Sequence, residues 1–182
     1  MENPVDKAAE TIKQGGVILY PTDTIWGLGC DPENKLAVSK IDAIKARAEG
    51  KNYILIVDSE KLLNKYVDII PEVAYDLIDY ADKPLTIIYP KANKCIAHLA
   101  ADDGSIAVRL VKDKTCSAIM QRTKTGIVST SANISNEPYT FPIPNKLVEQ
   151  VDFSFEQKEQ KENKASQIIK IKENGEFEII RK

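Results

Sequence analysis

The chain has 182 residues, of which 43% are hydrophobic and 29% are charged, a balance typical of soluble globular proteins. Its formal net charge of −2 excludes a protein that coats nucleic acid through bulk positive charge, so any anion-binding surface must be a local cluster. A chain of this length can form one stable domain without metal or disulfide crosslinks.

Cysteine use and hydropathy indicate the compartment. Cys30, Cys95 and Cys116 are odd in number and far apart, which favours a reducing environment. The first ten residues contain no apolar leader segment, and no apolar run reaches the ~18 residues that span a bilayer. The sequence therefore predicts a cytoplasmic protein with no membrane partner.

Helical spacings and short apolar runs alternate along the chain. Asn3-Pro4 begins a first helix and Gly15-Gly16 ends it, while Asn34 caps a second helix whose apolar positions continue to Ala48. A polar loop separates the first strand from this second helix. The predicted strands are 17–20, 53–57, 84–90, 105–111 and 126–130, and the further helices are 59–63, 72–80 and 115–123.

The end of the chain has a different amino-acid composition. The segment EQKEQKENK (156–164) is almost entirely charge and amide, which predicts a mobile exposed loop. Two short apolar runs then flank Asn174-Gly175, a strong hairpin signal. Together the elements predict one α/β domain over 1–182, with a twisted, mixed, open sheet flanked by helices and a C-terminal hairpin.

Several familiar catalytic motifs are missing. The chain has no phosphate-binding loop of the G-x-x-x-x-G-K-[ST] type, and GLG (27–29) is only half of a dinucleotide fingerprint. His98 is the single histidine, no set of ligands has metal-site spacing, and no G-x-S-x-G motif presents a serine nucleophile. Triad hydrolysis and a protein-built metal site are therefore disfavoured.

Three polar clusters remain at the ends of predicted elements. The first is YPTDTIWGLG (20–29), where Gly27 and Gly29 would let the backbone approach a ligand. On this segment alone, a capped turn around a half-buried Trp26 is the favoured interpretation.

The second cluster contains Lys45, Arg47 and Lys51. On a continuous helix residues 45 and 47 would point nearly 200° apart, so they can face one target only if the chain unwinds near Ala46. Three cations beside Gly50 would suit a phosphate clamp. A solvated helix end, where positive charge complements the helix dipole, is the alternative.

The third cluster is GIVSTSANIS (126–135), a strand that runs into short hydrogen-bonding side chains such as Ser129, Ser131 and Asn133. We expect Ser105 and Arg109 nearby, because Arg109 interrupts an apolar strand and its guanidinium needs a partner. Ligands usually bind at strand ends in open α/β sheets. The three clusters together predict a site for a nucleotide and a small acid.

Taken in order, these motifs resemble the Sua5/YrdC/YciO family, which includes the threonylcarbamoyl-AMP synthases. The resemblance is carried by GGVILYPTDTIWGLGCDP, by KAR (45–47) followed by Lys51, and by PLTIIYP, AVRL and STSANIS, over most of residues 10–140. It implies a YrdC/RibB-like sheet. The sequence departs from the family's usual pattern in RAEGKNYIL, which lacks two prolines, and in YADKPLT, Trp26 and EQKEQKENK.

The resemblance implies an activity in which L-threonine, bicarbonate and ATP give threonylcarbamoyl-AMP and pyrophosphate. Mg²⁺ would accompany ATP, and no organic cofactor is implied. The product would feed the t6A modification at position 37 of tRNA through a downstream threonylcarbamoyl-transferase complex. The implied partners are therefore the three substrates, that complex, and tRNA or double-stranded RNA.

Matching positions give the polar residues their implied roles. The implied catalytic residues are Lys45 and Arg47. The implied ATP-binding residues are Lys45, Arg47, Lys51, Ser105, Ser131, Asn133 and Arg181. The implied threonine-binding residues are Thr22, Arg109, Ser129 and Ser166.

Two alternatives stay open at the level of sequence. One is a double-stranded RNA- or tRNA-binding or ribosome-maturation factor without this catalysis, which would show steep salt-dependent RNA binding. The other is a divergent paralogue that uses another acid, which would bind ATP without depending on threonine.

Overall fold

A computed structural model describes residues 3–46, 53–158 and 165–182. The helices are α1 (Pro4–Lys13), α2 (Lys35–Ile44), α3 (Glu60–Tyr66), α4 (Val73–Tyr80), α5 (Lys114–Thr123) and α6 (Asn145–Val148), with a 3₁₀ helix over Lys94–Leu99. The strands are β1 (Ile18–Tyr20), β2 (Gly27–Cys30), β3 (Ile54–Val57), β4 (Val67–Ile69), β5 (Leu85–Tyr89), β6 (Lys91–Ala92), β7 (Ile106–Leu110), β8 (Ile127–Ser131), β9 (Phe153–Ser154), β10 (Gln167–Ile171) and β11 (Phe177–Arg181).

Nine of these strands form one sheet in the order β11-β10-β5-β7-β3-β8-β2-β1-β9. The sheet is mixed, because β3 pairs with β7, β5 with β10 and β1 with β9 in parallel, while the other neighbours are antiparallel. Strands β4 and β6 form a small separate pair. The predicted α/β fold with a mixed open sheet and a C-terminal hairpin is confirmed.

The polar loop predicted after β1 is wrong in one respect, since it contains the strand β2. Every residue of β2 is buried, and the strand pairs with β1 on one side and β8 on the other. Two of its four residues are glycines, so the alternation of side chains that identifies a strand is missing. The short strands β4, β6 and β9, the 3₁₀ helix and α6 also escaped prediction.

Helix α2 ends earlier than its apolar spacing predicts. Its last helical residue is Ile44, Lys45 occupies the C-cap, and Ala46 has a φ of +50°. A left-handed backbone at a residue with a Cβ is uncommon and stops the helix. The chain therefore unwinds at Ala46, as convergence of the basic residues requires. Ala48, Arg47 and Lys51 lie outside the described residues.

The core lies on both faces of the sheet. Leu55, Ile56 and Val57 in β3 are all fully buried, and successive strand residues point to opposite faces. Side chains therefore pack on both sides of the centre of the sheet, where each buried aliphatic side chain contributes about 1.5–3 kcal/mol. In the described part of the chain no helix is long and apolar enough to cross a membrane.

Candidate active site

A cavity of about 210 Å³ lies over one face of the sheet. Segments far apart in sequence form its walls: the loop after β1, the end of β8, the residues before β10 and the end of β11. The lining residues are Thr22, Thr24–Gly27, Ile54, Arg109, Ser129–Ser131, Ala165–Ser166 and Arg181.

Strand register explains why these side chains meet. Ile54 pairs with Ser129, and Gly27 pairs with Ser131, so their side chains share a face. In the β3–β7 pair, Ala107 lies opposite Ile54 and Arg109 lies opposite Ile56. Because residues two apart on a strand point to the same face, Arg109 shares the face of Ile54. The sheet therefore presents one guanidinium and two hydroxyls to a single cavity.

Arg109 is the charged centre of this cavity. Its Nη2 lies 3.2 Å from Asp23 Oδ1, and its Nη1 donates a hydrogen bond of 3.0 Å to Thr24 Oγ1. The residue is only 5% exposed, so the Asp23 carboxylate stabilises a charge that burial would otherwise disfavour. Arg109 Nε is buried and has no hydrogen-bond partner within the described residues.

The loop between β1 and β2 is held by its own hydroxyls. Thr22 Oγ1 lies 3.0 Å from Thr24 Oγ1 and donates to the backbone carbonyl of Ile25 at 2.8 Å. Thr22 and Thr24 are both buried, at 4% and 3% exposure. This network fixes the loop against Arg109 in a turn whose residues Thr22 and Thr24 also line the cavity. Trp26 is buried, whereas half burial was predicted.

Arg181 brings a second guanidinium to the cavity from the last strand. Its Nε and Nη2 donate to the backbone carbonyl of Ser166 at 2.9 and 2.7 Å. Burial lowers the pKa of Arg181, and the nearby positive charge of Arg109 lowers it further. Two arginines close enough to repel each other make the cavity attractive to an anion.

Ser166 joins the hairpin to the interior of the sheet. Its Oγ lies 2.7 Å from Thr86 Oγ1, and both residues are essentially fully buried. Thr86 was missed by sequence reasoning, although a lone hydroxyl in the apolar strand LTIIY was a signal that could have found it.

Tyr20 is a second residue that sequence reasoning did not select. It is fully buried in β1, and its hydroxyl donates to Ser129 Oγ at 3.0 Å. The ring lies over Gly29, where a Cβ would come within 2.7 Å of Tyr20 Cε1. Burial raises the pKa of Tyr20 far above its ordinary value, so the phenol stays protonated.

Lys45 faces the loop after β8 instead of open solvent. Its ammonium donates to the carbonyls of Ser131 and Asn133 at 2.7 and 2.6 Å, and to Asn133 Oδ1 at 3.1 Å. Ser131 Oγ donates to the same Asn133 Oδ1 at 2.5 Å. Lys45 is 3% exposed, so its charge organises the Ser131–Asn133 loop in this structure.

Asn133 lies on the far side of that loop. It lines a second cavity of about 290 Å³, together with residues that include Glu137, Thr140 and Lys146. The structure thus brings Thr22, Arg109, Ser129, Ser131, Ser166 and Arg181 to the first cavity, and Lys45 and Asn133 to the loop beside it.

Ser105 is the expected site residue that the structure places elsewhere. It precedes β7, whereas Arg109 lies near the end of that strand, about 13 Å further along. Ser105 Oγ donates to Asp103 Oδ1 at 2.5 Å, and Ser105 does not line the cavity. Because Ile54 pairs with both Ala107 and Ser129, Ser105 lies at the same end of the sheet as Ser131, and its assignment to ATP stays a prediction.

No group of three or more histidine, cysteine, aspartate or glutamate residues that could hold a metal occurs within residues 3–46, 53–158 and 165–182. Asp23 is paired with Arg109, which lines the cavity. A magnesium ion here would therefore rely chiefly on oxygens of a bound phosphate ligand.

Comparisons with known proteins add to this geometry. The threonylcarbamoyl-AMP synthase of Xanthomonas euvesicatoria pv. vesicatoria (strain 85-10) is 36% identical over 137 residues, 74% of this chain and 73% of that protein. Two solved structures share the fold at 24% identity. E. coli YciO has a TM-score of 0.79 and covers 98% of this chain and 88% of its own. P. abyssi Sua5 complexed with L-threonine has a TM-score of 0.80, and the match covers 92% of this chain and 50% of that protein.

The chain therefore spans about half the length of P. abyssi Sua5 and most of E. coli YciO. A family model described as telomere recombination, that of Sua5, YciO and YrdC, matches residues 10–182. The match includes every segment that lines the cavity. The chain belongs to the Sua5/YciO/YrdC family.

Proposed function

We propose that this protein is a threonylcarbamoyl-AMP synthase, which makes threonylcarbamoyl-AMP and pyrophosphate from L-threonine, bicarbonate and ATP. The observation that carries the proposal is the cavity in which Arg109 and Arg181 meet a ring of serine and threonine hydroxyls. A relative that is 36% identical over most of its length is named for this activity.

The reaction has two steps. The ammonium group of threonine first loses a proton, and the resulting amine condenses with bicarbonate to form a carbamate with loss of water. A carbamate oxygen then attacks the α-phosphorus of ATP, a new P–O bond forms, and the bond to the β-phosphate breaks to release pyrophosphate. Both steps need positioning and charge neutralisation more than a protein nucleophile.

The threonine end of the site is assigned to the loop after β1. Arg109 pairs with the carboxylate of threonine, while Asp23 and Thr24 hold the guanidinium in place. Thr22 supplies a hydroxyl from the loop after β1, and Ser129 supplies one from β8. An anionic ligand would offset the cost of burying Arg109 with Nε unpartnered, about 1–3 kcal/mol for a buried unsatisfied donor.

The nucleotide end is assigned to Arg181, to the Ser131–Asn133 loop and to the basic segment after α2. Arg47 and Lys51 supply charge for the phosphates, and Mg²⁺ enters as MgATP. Lys45 serves this end by holding the carbonyls of the Ser131–Asn133 loop. Ser166 acts mainly through its carbonyl, which fixes Arg181 at the rim.

A carbamate is short-lived in water, so a partly enclosed cavity that holds it against the α-phosphate has a clear chemical value. We further propose that the product is passed to a threonylcarbamoyl transferase that modifies tRNA. Direct RNA binding is the competing outcome, and it would show as a steep salt dependence without turnover of ATP.

The test measures pyrophosphate release from ATP by the purified protein. Release is expected only when both threonine and bicarbonate are present, and the Arg109→Lys variant should need far more threonine because it loses the planar fork that matches a carboxylate. Release that ignores threonine would refute the assignment of this substrate.

A further inference from the structure

Tyr20 and Ser129 form a buried hydroxyl pair beside the cavity. Tyr20 is fully buried and Ser129 is 7% exposed, and the atoms that join them are 3.0 Å apart. Ser129 lines the cavity whereas Tyr20 does not. Tyr20 can therefore influence a ligand only through its neighbour.

Two glycines make room for this pair. A Cβ at Gly27 would lie 3.0 Å from Ser129 Oγ, and one at Gly29 would lie 2.8 Å from Ile127 Cγ2 and 2.7 Å from Tyr20 Cε1. Because Tyr20 pairs with Gly27 across the sheet, its ring extends over β2 towards β8. The glycines of β2 are thus required for the phenol to reach Ser129.

The direction of the hydrogen bond follows from the chemistry of the two groups. The buried phenol keeps its proton, because burial raises its pKa far above the physiological range. A serine hydroxyl has one proton and two lone pairs. When Ser129 Oγ accepts from Tyr20, its own proton has no acceptor among the residues that the structure describes, and the cavity is the open direction.

We propose that Tyr20 is a positioning residue that fixes the polarity of Ser129, so that the Ser129 hydroxyl donates to an anionic oxygen of the ligand. The assignment of that ligand as threonine rests on the proposed function. Arg109 supplies the charge at this site and Ser129 supplies an oriented neutral donor, which would accept from solvent or rotate away if Tyr20 did not hold it.

The test is a double-mutant cycle with Tyr20→Phe, Ser129→Ala and the double variant. Removing the phenol hydroxyl should raise the KM for threonine roughly three- to tenfold, the range of one net hydrogen bond, and leave kcat nearly unchanged. Ser129→Ala should have at least as large an effect. The double variant should match Ser129→Ala, since Tyr20 acts only through Ser129.

Tyr66→Phe is the matched control. Tyr66 is also fully buried, and its hydroxyl accepts from the Gly126 amide at 3.2 Å and donates to Glu33 Oε1 at 3.0 Å, away from the cavity. This variant should lose stability without changing the KM for threonine. A purely structural role of Tyr20 would make Tyr20→Phe behave in the same way.

Equilibrium binding of inorganic phosphate, a second anionic probe, separates this inference from the proposed function. Coupling between Tyr20 and Ser129 in phosphate binding, without any binding of threonine, would support the inference and refute the proposed substrate. A Tyr20→Phe effect that persists in full in the Ser129→Ala background would overturn the inference. If the wild-type protein bound neither threonine nor phosphate, both the inference and the proposed function would be overturned.

Discussion

At the scale of single residues, Arg109 combines a buried charge with partners that are all polar side chains of one loop. Asp23 and Thr24 contact two of its nitrogens, and both precede β2 by only a few residues. A buried guanidinium that is held from one side can present its remaining surface to a ligand. The arrangement is therefore suited to bind a carboxylate, and its disruption should lower the free energy of unfolding.

The first prediction concerns Asp23→Asn. Loss of the carboxylate leaves Arg109 without its ion pair, and the free energy of unfolding should fall by about 1–3 kcal/mol. Threonine binding should also weaken, because the guanidinium is no longer held. Urea unfolding and binding isotherms measure the two effects.

Asp6→Asn serves as the control, because Asp6 pairs with Arg122 at an exposed site. Exposed pairs contribute about 0–1 kcal/mol, so this variant should remain close to wild type in stability and in threonine binding. Equal losses in the two variants would contradict the role given to Asp23.

The second prediction concerns Lys45→Met, which keeps the length of the side chain and removes its charge. The carbonyls of Ser131 and Asn133 lose a donor, and stability should fall by about 1.5–3 kcal/mol, the range for hydrogen bonds to a charged group. ATP affinity should fall as the loop loses its order. Lys40→Met is the control: Lys40 lies in α2, is half exposed and donates to the Gly15 carbonyl at 2.9 Å, so this variant should lose less stability than Lys45→Met and keep wild-type ATP affinity.

Lys45→Met with wild-type stability would show that the ammonium does not organise the loop. Wild-type ATP affinity in the double variant Lys45→Ala, Arg47→Ala would refute the assignment of the basic segment to the phosphates.

At the scale of elements, β2 is the strand on which the site depends most. It lies between β1 and β8, and its two glycines leave space on the cavity face. Gly29→Ala would place a methyl group 2.7 Å from Tyr20 Cε1 and 2.8 Å from Ile127 Cγ2, distances that force a shift.

The third prediction is that Gly29→Ala lowers the free energy of unfolding by about 1–3 kcal/mol, the usual cost of overpacking. It should also raise the KM for threonine, because Tyr20 is displaced from Ser129. Gly27→Ala, with its nearest contact at 3.0 Å, should be milder in unfolding experiments. The reverse order of the two variants would contradict the packing described for Tyr20.

The fourth prediction concerns Asp103, which lies just before β7. Hydrogen bonds from Lys170 and Ser105 lower the pKa of Asp103 well below its usual range. A carboxyl with a lowered folded pKa stabilises the protein above its ordinary pKa, and this stabilisation is lost as the pH falls through the folded value.

Asp103→Asn should therefore reduce stability at neutral pH and flatten the loss of stability below about pH 4, near the ordinary aspartate pKa. Unfolding curves between neutral and acid pH measure both, and parallel profiles for wild type and Asp103→Asn would exclude the contribution.

Much of the fold follows from local pattern in the sequence. The strands β1, β3, β5, β7 and β8 are apolar runs of ordinary length, and the hairpin turns at Asn174-Gly175 with a φ of +85° at the glycine. The strand β2 could not be predicted, because its pairing with β1 and β8 comes from tertiary contacts and not from its own side chains.

The site was predicted less completely than the fold. Arg109 stood out as a charge within an apolar strand, and Ser129 and Ser131 stood out as hydroxyls at the end of one. Tyr20 and Thr86 were not selected, because tyrosine and threonine are common in buried strands and do not by themselves indicate a site.

At the scale of the whole molecule, the cavity depends on contacts between the two ends of the chain. Thr22 follows the first strand and Arg181 ends the last one, yet both line the same cavity. The sheet order places β11 at one edge and β2 near the other, with the arginines facing the space between them. Binding of substrate should therefore stabilise the entire sheet and not one local loop.

The fifth prediction applies this coupling. Saturating threonine and ATP together should raise the thermal unfolding midpoint more than either ligand alone, because threonine would hold the loop after β1 and ATP would hold the hairpin. Arg181→Ala should abolish most of the shift due to ATP and less of the shift due to threonine. If Arg181→Ala reduced the ATP-induced shift and the threonine-induced shift of the unfolding midpoint equally, the division of the site into two ends would be contradicted.

The most direct measurement of the proposed function follows labelled carbon into the product. The protein is incubated with ATP, threonine and ¹³C-bicarbonate, the products are separated, and their masses are determined by mass spectrometry. The proposal expects an adenylate that carries one labelled carbon and one threonine, formed together with pyrophosphate and absent when threonine is omitted. Pyrophosphate formed without any labelled adenylate, or a labelled adenylate that contains no threonine, would contradict it.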